Sequence, residues 1–133
     1  MKVAVRYYSR SGHTEKVAQE LGKQLKVIPK TTATKLSAPV DILFVGSGTF
    51  FFKEDKHLKK FVSNLTPDQV KQIIIFGTAG GPDSMIKSLK KILSKKKLNV
   101  SNKTLFFSSF RLSPTKSLTS EQIKKISDFI ANL

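Results

Sequence analysis

Short apolar runs alternate along the chain with segments in which apolar residues recur every three or four positions. The runs are rich in β-branched and aromatic residues, which is typical of buried strands. They predict strands at 2–8, 42–45, 73–76 and 104–110, and a short strand that begins at Val27-Ile28-Pro29, where proline favours a sheet edge. The periodic segments predict amphipathic helices at 13–25, 54–65, 83–97 and from residue 119 onward.

The last of these helices has the clearest start signal. Thr119 is placed as its N-cap, and Gln122 completes a capping box. Leu118 and Ile123 flank this box at the spacing of a hydrophobic staple. We therefore expect an inner helix face made of Ile123, Ile126, Phe129, Ile130 and Leu133.

The order of these elements predicts the fold class. Apolar strands that alternate with amphipathic helices favour an α/β fold, with a parallel sheet covered by helices on both faces. Residues 30–40 have no apolar period, so the helix after the second strand is expected to be short or absent. No repeat or linker divides the chain, and a single domain over residues 1–133 is expected.

The composition excludes several classes of protein. The chain contains no cysteine, which rules out disulfides, thiolate catalysis and cysteine-ligated metals. No apolar run reaches the roughly 18 residues that a membrane-spanning helix needs. The first strand begins too close to Met1 to leave room for a signal peptide. A cytoplasmic protein is therefore expected.

The charge is strongly positive. The 24 lysines and arginines outnumber the 9 acidic residues and give a net charge of +15, a field that attracts acidic proteins and nucleic acids. Two interpretations of this charge stay open: binding to an acidic partner or nucleic acid, and a lysine-rich surface that is merely solvated. Arginine, which nucleic-acid sites favour for base contacts, is present only as Arg6, Arg10 and Arg111. The scarcity of arginine favours the interpretation of a solvated surface over that of a nucleic-acid site.

A polar turn joins the first strand to the first helix, with the sequence Ser9-Arg10-Ser11-Gly12-His13-Thr14. The first N–H groups of a helix have no intrahelical partner and carry partial positive charge. A phosphate in this turn would be held by those groups, by the two serine hydroxyls and the threonine hydroxyl, and by the arginine. The glycine lets the turn close tightly. The same residue types also cap helices, so an ordinary strand-to-helix turn stays open from the residues alone.

A longer pattern surrounds this turn. An aromatic residue, two hydroxyl residues, a glycine and two apolar helix residues occur at fixed spacing, here as Tyr7, Ser9, Gly12, Thr14, Ala18 and Leu21. This pattern resembles the phosphate loop of flavodoxins. Arg6 departs from it, since that family has an apolar residue before the aromatic. The resemblance implies a flavodoxin-like, doubly wound, five-stranded parallel sheet of order 2-1-3-4-5, with the phosphate of FMN in the turn.

Two more stretches rich in glycine, serine and threonine follow the third and fourth strands. We expect both as loops, starting at Gly46 and Gly77, at the sheet edge where ligands of parallel sheets bind. The resemblance implies that Phe50 lies against the flavin ring, with Phe51 beside it, and that the other loop faces the polar edge of the ring. The cofactor residues predicted in these loops are Ser47, Gly48, Thr49, Phe50, Phe51, Thr78, Ala79, Gly80 and Gly81.

The resemblance implies an FMN-binding protein that carries electrons between redox partner proteins. Because the flavin supplies the redox chemistry, no catalytic residue and no metal are predicted. Two other classes stay open. One is a small FMN-dependent quinone or porphyrinogen oxidoreductase, so whether the chain is an enzyme is undecided, with the redox carrier favoured. The other is a basic fold relative that has lost FMN and binds nucleic acid or acidic proteins.

Overall fold

A computed structural model describes residues 1–9, 12–50, 53–54, 56–78, 82–107 and 117–133, with side chains described outside 49–50, 53–54 and 82–85. The strands within these ranges are β1 (Val3–Tyr8), β2 (Lys30–Thr31), β3 (Val40–Phe50), β4 (Lys53–Glu54), β5 (Val70–Thr78) and β6 (Val100–Phe107). The helices are α1 (His13–Leu25), α2 (Lys56–Ser63), α3 (Pro82–Lys95) and α4 (Ser120–Ala131).

Five of the strands form a parallel sheet in the order β2-β1-β3-β5-β6. Counted along the chain as parallel strands alone, this is the order 2-1-3-4-5, so the predicted fold class is confirmed. The short strand β4 lies off this path and pairs antiparallel with the end of β3. The first and second strands start later than predicted: β1 starts at Val3, and β2 starts after Pro29, which has no N–H to donate.

The sheet has a hydrophobic cluster on each face because successive side chains of a strand point to opposite sides. Ile42 and Phe44 join the cluster under α1 and α4, whereas Leu43 and Val45 join the cluster under α2 and α3. The helices therefore cover both faces, as predicted.

Between β2 and β3 the chain forms turns and irregular structure over residues 32–39, and no helix. Arg6 holds this segment against the sheet. Its Nε donates a hydrogen bond to the carbonyl oxygen of Thr34 at 2.8 Å, and its Nη2 donates to that of Lys35 at 3.3 Å. The side chain is only 7% exposed, and its burial lowers the pKa of the guanidinium. The arginine that departs from the family pattern thus binds the segment in which this chain has no helix.

The predicted loop at Gly46 is wrong, because β3 continues to Phe50 and β5 continues to Thr78. Gly46 pairs with Phe76, Ser47 with Gly77 and Gly48 with Thr78. Small residues are required here by close packing: a Cβ on Gly46 would lie 2.6 Å from the ring of Phe76. Gly46 and Gly77 therefore lie within paired strands and not in loops.

Helix α4 begins as predicted. The backbone N–H of Gln122 donates to Thr119 Oγ1 at 3.2 Å, and that of Thr119 donates to Gln122 Oε1 at 2.8 Å, which completes the capping box. The predicted inner face is too long, because Ile123 and Leu133, at its two ends, are 36% and 45% exposed. The predicted end of the last strand, at 108–110, lies outside the described residues.

Asp41, the second residue of β3, contacts the N-terminal segment and the start of β5. Its carboxylate accepts a hydrogen bond from the backbone N–H of Lys2 at 2.7 Å and lies 3.2 Å from Lys71 Nζ. These contacts, the first above all, lower the pKa of Asp41 below its ordinary value. No helix among the described residues is long and apolar enough to cross a membrane.

Candidate functional site

The carboxyl ends of β1, β3 and β5 lie side by side at one edge of the sheet. Tyr8 pairs with Ser47, and Gly48 pairs with Thr78. The chain leaves β1 toward one sheet edge and returns to β3 on its other side, so the strand order reverses between β1 and β3. In open α/β sheets, ligands bind outside the carboxyl ends of the strands at such a reversal.

The turn from β1 into α1 has the geometry of an anion site in the part that is described. Gly12 is the N-cap of α1, with φ at 90°, a conformation that favours glycine. Because glycine has no side chain, the N-cap residue supplies no acceptor to the first N–H groups of the helix. Ser9 Oγ accepts the N–H of Gly12 at 3.0 Å, and this bond closes the turn.

A buried pair of hydroxyls lies beneath this turn. Thr14 Oγ1, in the first turn of α1, is 2.9 Å from Thr78 Oγ1 at the end of β5, and the two residues are 1% and 3% exposed. The pair has two hydroxyl hydrogens, and the bond between them uses one. No described residue accepts the second hydrogen. Ser9 Oγ likewise keeps its own O–H while it accepts from Gly12.

Space beside the hydroxyl pair is left by Gly48. A Cβ added there would lie 3.6 Å from both Thr78 Oγ1 and the Thr78 carbonyl oxygen, and 3.9 Å from Thr14 Oγ1, which are ordinary contacts. The neighbouring Ser47 is fully buried, and its hydroxyl donates to the carbonyl oxygen of Gly48 at 2.9 Å. Ser47 therefore bonds to the backbone of β3, whereas Gly48 leaves room for one more carbon atom beside the hydroxyl pair.

Glu15 provides negative charge at the outer side of the turn. Its Oε1 accepts the hydroxyl of Tyr7 at 3.4 Å and an N–H of the Gln19 side chain at 3.5 Å. Burial raises the pKa of Tyr7, and the Glu15 carboxylate raises it further. Tyr7 thus stays a neutral hydrogen-bond donor at physiological pH, and Glu15 is held on α1 by these contacts.

The structure brings together one part of the predicted cofactor set and leaves the other part untested. Ser9, Gly12, His13, Thr14, Ser47, Gly48 and Thr78 lie around the ends of β1, β3 and β5. Arg10, Ser11, Phe51, Ala79, Gly80 and Gly81 lie outside the described residues, as do the side chains of Thr49 and Phe50. The predicted phosphate end of the site is therefore described in part, and ligand binding at both ends stays a prediction.

Comparison with known proteins gives the fold. No protein-family model and no curated protein matches the chain. Solved structures match over nearly all of it. A flavodoxin from the domain Archaea is 20% identical over 97% of this chain and 93% of its own, with a TM-score of 0.74. The fold is flavodoxin-like.

Two further neighbours show how widely this flavodoxin-like fold occurs. A short-chain flavodoxin associated with a non-canonical PDU bacterial microcompartment is 17% identical over 100% of this chain and 97% of its own, with a TM-score of 0.73. Rubredoxin oxygen:oxidoreductase from Desulfovibrio gigas is 16% identical, also with a TM-score of 0.73. That match covers 98% of this chain but 34% of the enzyme, so the same fold forms one part of a larger protein.

Two features of this region were not predicted from the sequence. The ring of Tyr8 stacks on that of His57 in α2, with centroids 3.9 Å apart and planes 12° apart. Thr78 was predicted in a loop that faces the flavin ring, but it ends β5, and its side chain forms the buried pair with Thr14. Neither contact has a local sequence signal, because each joins residues about 50 or more positions apart. Among the described residues, no group of three histidine or acidic side chains is placed to hold a metal ion.

Proposed function

We propose that this protein binds FMN and carries electrons between redox partner proteins. The observation that carries the proposal is the hydroxyl pair Thr14–Thr78 beneath the glycine-capped start of α1. This arrangement lies at the strand-order reversal of a flavodoxin-like sheet. It offers hydrogen-bond donors to an anion, and no side chain among the described residues caps the start of the helix.

The residues of the turn would hold the terminal phosphate of FMN. The first N–H groups of α1 point out of the helix toward the turn and bring the positive end of its dipole. The spare O–H of the threonine pair and that of Ser9 supply two more donors. Bound FMN supplies the redox chemistry, and the protein binds and orients it. Phe50, Phe51 and residues 79–81 are proposed to hold its ring.

Titration of FMN with the purified protein tests this proposal. We expect the flavin fluorescence to be quenched as FMN binds, and Thr14→Val to weaken binding by at least about tenfold, since a hydrogen bond to a charged group is lost. Thr104→Val is the matched control, because Thr104 lies in β6, away from the turn, and pairs with Ile75. Protein that is purified without colour and leaves added FMN fully fluorescent would contradict the proposal.

The charge of +15 supports acidic proteins as the redox partners, because opposite charge speeds association. Partner reduction by the FMN-loaded protein should then slow as salt rises. A rate that does not change with salt would count against acidic partners. A cytoplasmic location belongs to the same proposal and is tested by cell fractionation.

An FMN-dependent oxidoreductase is the second candidate, favoured by a cavity beside Ser9 that is large enough for a small molecule. Steady-state turnover of a quinone by the FMN-loaded protein, with a nicotinamide reductant, distinguishes the enzyme from the carrier. For a fold relative without FMN, the expected outcome is salt-sensitive binding of DNA or acidic protein and no flavin binding.

A further inference from the structure

The missing helix between β2 and β3 leaves a cavity on the α2 face of the sheet. The cavity has a volume of about 860 Å³ and lies between residues 31–36, the end of β1 and α2. Sites for small organic molecules in proteins have volumes of about 300–1,000 Å³. Arg6 fixes one wall of the cavity, since it binds the carbonyl oxygens of Thr34 and Lys35.

The lining of this cavity is apolar in its interior and positive at its opening. Phe61 and Leu65 are buried side chains that line it, at 8% and 3% exposure. Lys35 and Lys60 are exposed and come from opposite walls, one from the irregular segment and one from α2. An apolar interior with cations at the opening fits a ligand that has an apolar body and a negative group.

Glu15 is the carboxylate of the lining, and it lies at the α1 end. It already accepts hydrogen bonds from Tyr7 and Gln19, so its charge is partly satisfied by the protein. Among the lining residues that the structure describes, the walls of the two lysines contribute no carboxylate. The charge of this described lining therefore favours an anion.

The stacked rings of Tyr8 and His57 also line the cavity. Their separation of 3.9 Å and near-parallel planes are the geometry of aromatic stacking. They come from different elements, β1 and α2, whose packing holds the pair in place. A stacked pair beside an apolar cavity is a platform on which a third flat ring can be placed.

We propose that this cavity binds a small organic anion with a flat aromatic ring, at a site adjacent to but separate from the proposed FMN site. The ring would lie against Tyr8 and His57, and the anionic group would meet Lys60 and Lys35. The two sites meet at Ser9, which belongs both to the turn before α1 and to the lining of the cavity. The proposal does not require FMN to bind, because its contacts come from residues of β1, α2 and the segment 31–36.

The test is a titration of the full chain with 1-naphthoate, followed by the amide signals in a two-dimensional NMR spectrum. The neutral 1-naphthamide is the matched ligand, since it has the same ring without the charge. We expect naphthoate to bind with shifts concentrated at Tyr8, His57 and Lys60, and naphthamide to bind several-fold more weakly. Equal binding of the two compounds, scattered shifts, or no shift up to about 10 mM naphthoate would each overturn the proposal.

Two variants of α2 sharpen this test. Lys60→Gln should weaken naphthoate binding about threefold, as expected for one partly solvated ion pair. Lys59→Gln is the control, because Lys59 is exposed on the same helix and is not part of the lining. If both variants bind naphthoate alike, Lys60 does not meet the anion and the proposal fails.

A repeat of the titration with saturating FMN separates this site from the cofactor site. We expect naphthoate binding to persist, whereas its loss would show that both compounds occupy one site and would overturn the proposal. If FMN itself does not bind, the proposed function fails while the naphthoate result still decides the cavity.

Discussion

Gly77→Ala is the substitution whose effect follows most directly from the sheet geometry. Gly77 in β5 pairs with Ser47 in β3 and with Phe106 in β6. A Cβ added to it would lie 2.1 Å from the carbonyl oxygen of Ser47, whereas ordinary contact begins at 3.4 Å. The obstructing atom belongs to the backbone of the neighbouring strand, so no side-chain rotation relieves the overlap. The two central strands must move apart by more than an ångström.

The cost can be set from general magnitudes. Overpacking a core costs typically about 1–3 kcal/mol, and a backbone obstacle places Gly77→Ala at the upper end, about 3 kcal/mol. Alanine also restricts the unfolded chain, which stabilises the folded protein by up to about 1 kcal/mol. The free energy of unfolding should therefore fall by a net amount of about 2–3 kcal/mol. With an unfolding entropy of about 2.1 cal/mol/K per residue, a chain of this length should then melt about 7–11 °C lower.

Thermal unfolding followed by circular dichroism measures this loss, with Gly48→Ala as the matched control. Gly48 lies in β3 and pairs with Thr78, one position beyond the pair formed by Ser47 and Gly77. Its added Cβ would have no neighbour closer than 3.6 Å, and neither glycine has a positive φ. The control should therefore melt within about 2 °C of the natural protein. A Gly77→Ala protein as stable as this control would refute the close approach of β3 and β5 at the site.

Three further predictions concern the hydroxyl pair, the buried arginine and the pH dependence of stability. Thr14→Val and Thr78→Val should each lower the free energy of unfolding, measured in urea, by about 1–2 kcal/mol, because each leaves a buried hydroxyl without its partner. The double variant should lose less than the sum of the two, and strict additivity would contradict the pairing. Arg6→Met should speed amide hydrogen exchange in residues 32–36 but not in α1, and unchanged exchange in that segment would contradict its anchoring role. Asp41 has a lowered pKa in the folded state, so its carboxylate stabilises the fold above about pH 4. This stabilisation is lost as the pH falls through the pKa of Asp41 in the folded state. Asp41→Asn should therefore lower the melting temperature at pH 7, and the difference should vanish in acid; a difference that persists at low pH would contradict this assignment.

Features with a local cause could be predicted from the sequence. Helix α1 occupies the predicted range 13–25, because its apolar residues recur at helical spacing and Gly12 ends the preceding turn. The capping box at Thr119 is likewise contained in four consecutive residues. The strand order followed from a resemblance that covers the turn before α1, and the sheet confirms it.

Features with a distant cause could not be predicted in this way. Glycine and serine at 46–48 look like a loop in sequence, yet they continue β3 because they pair with residues 76–78 of β5, and the ring of Phe76 leaves no room for a side chain at Gly46. Arg6 stood out as a departure from the family pattern, but only the carbonyl oxygens of residues 34 and 35 explain a buried arginine there. At the site, the phosphate contact of Thr14 stays a prediction, and its bond to Thr78 joins positions 64 apart, which no local pattern indicates.

The hydroxyl pair is held by the framework of the protein and not by a loop. Thr78 is fixed by its pairing with Gly48 in the central strands, and Thr14 is fixed because Val17, Ala18 and other apolar residues of α1 are buried on the sheet. Donors that are already in place lose little conformational entropy when a ligand arrives, so more of each hydrogen bond appears as affinity. Of the residues proposed to hold the flavin ring, Phe50 lies beyond the ladder between β3 and β5 and pairs with Lys53 of β4, and the others lie outside the described residues. We therefore expect the phosphate end of the site to bind a phosphate group whatever the rest of the ligand is. The ring end of the site should decide which flat molecule is accepted.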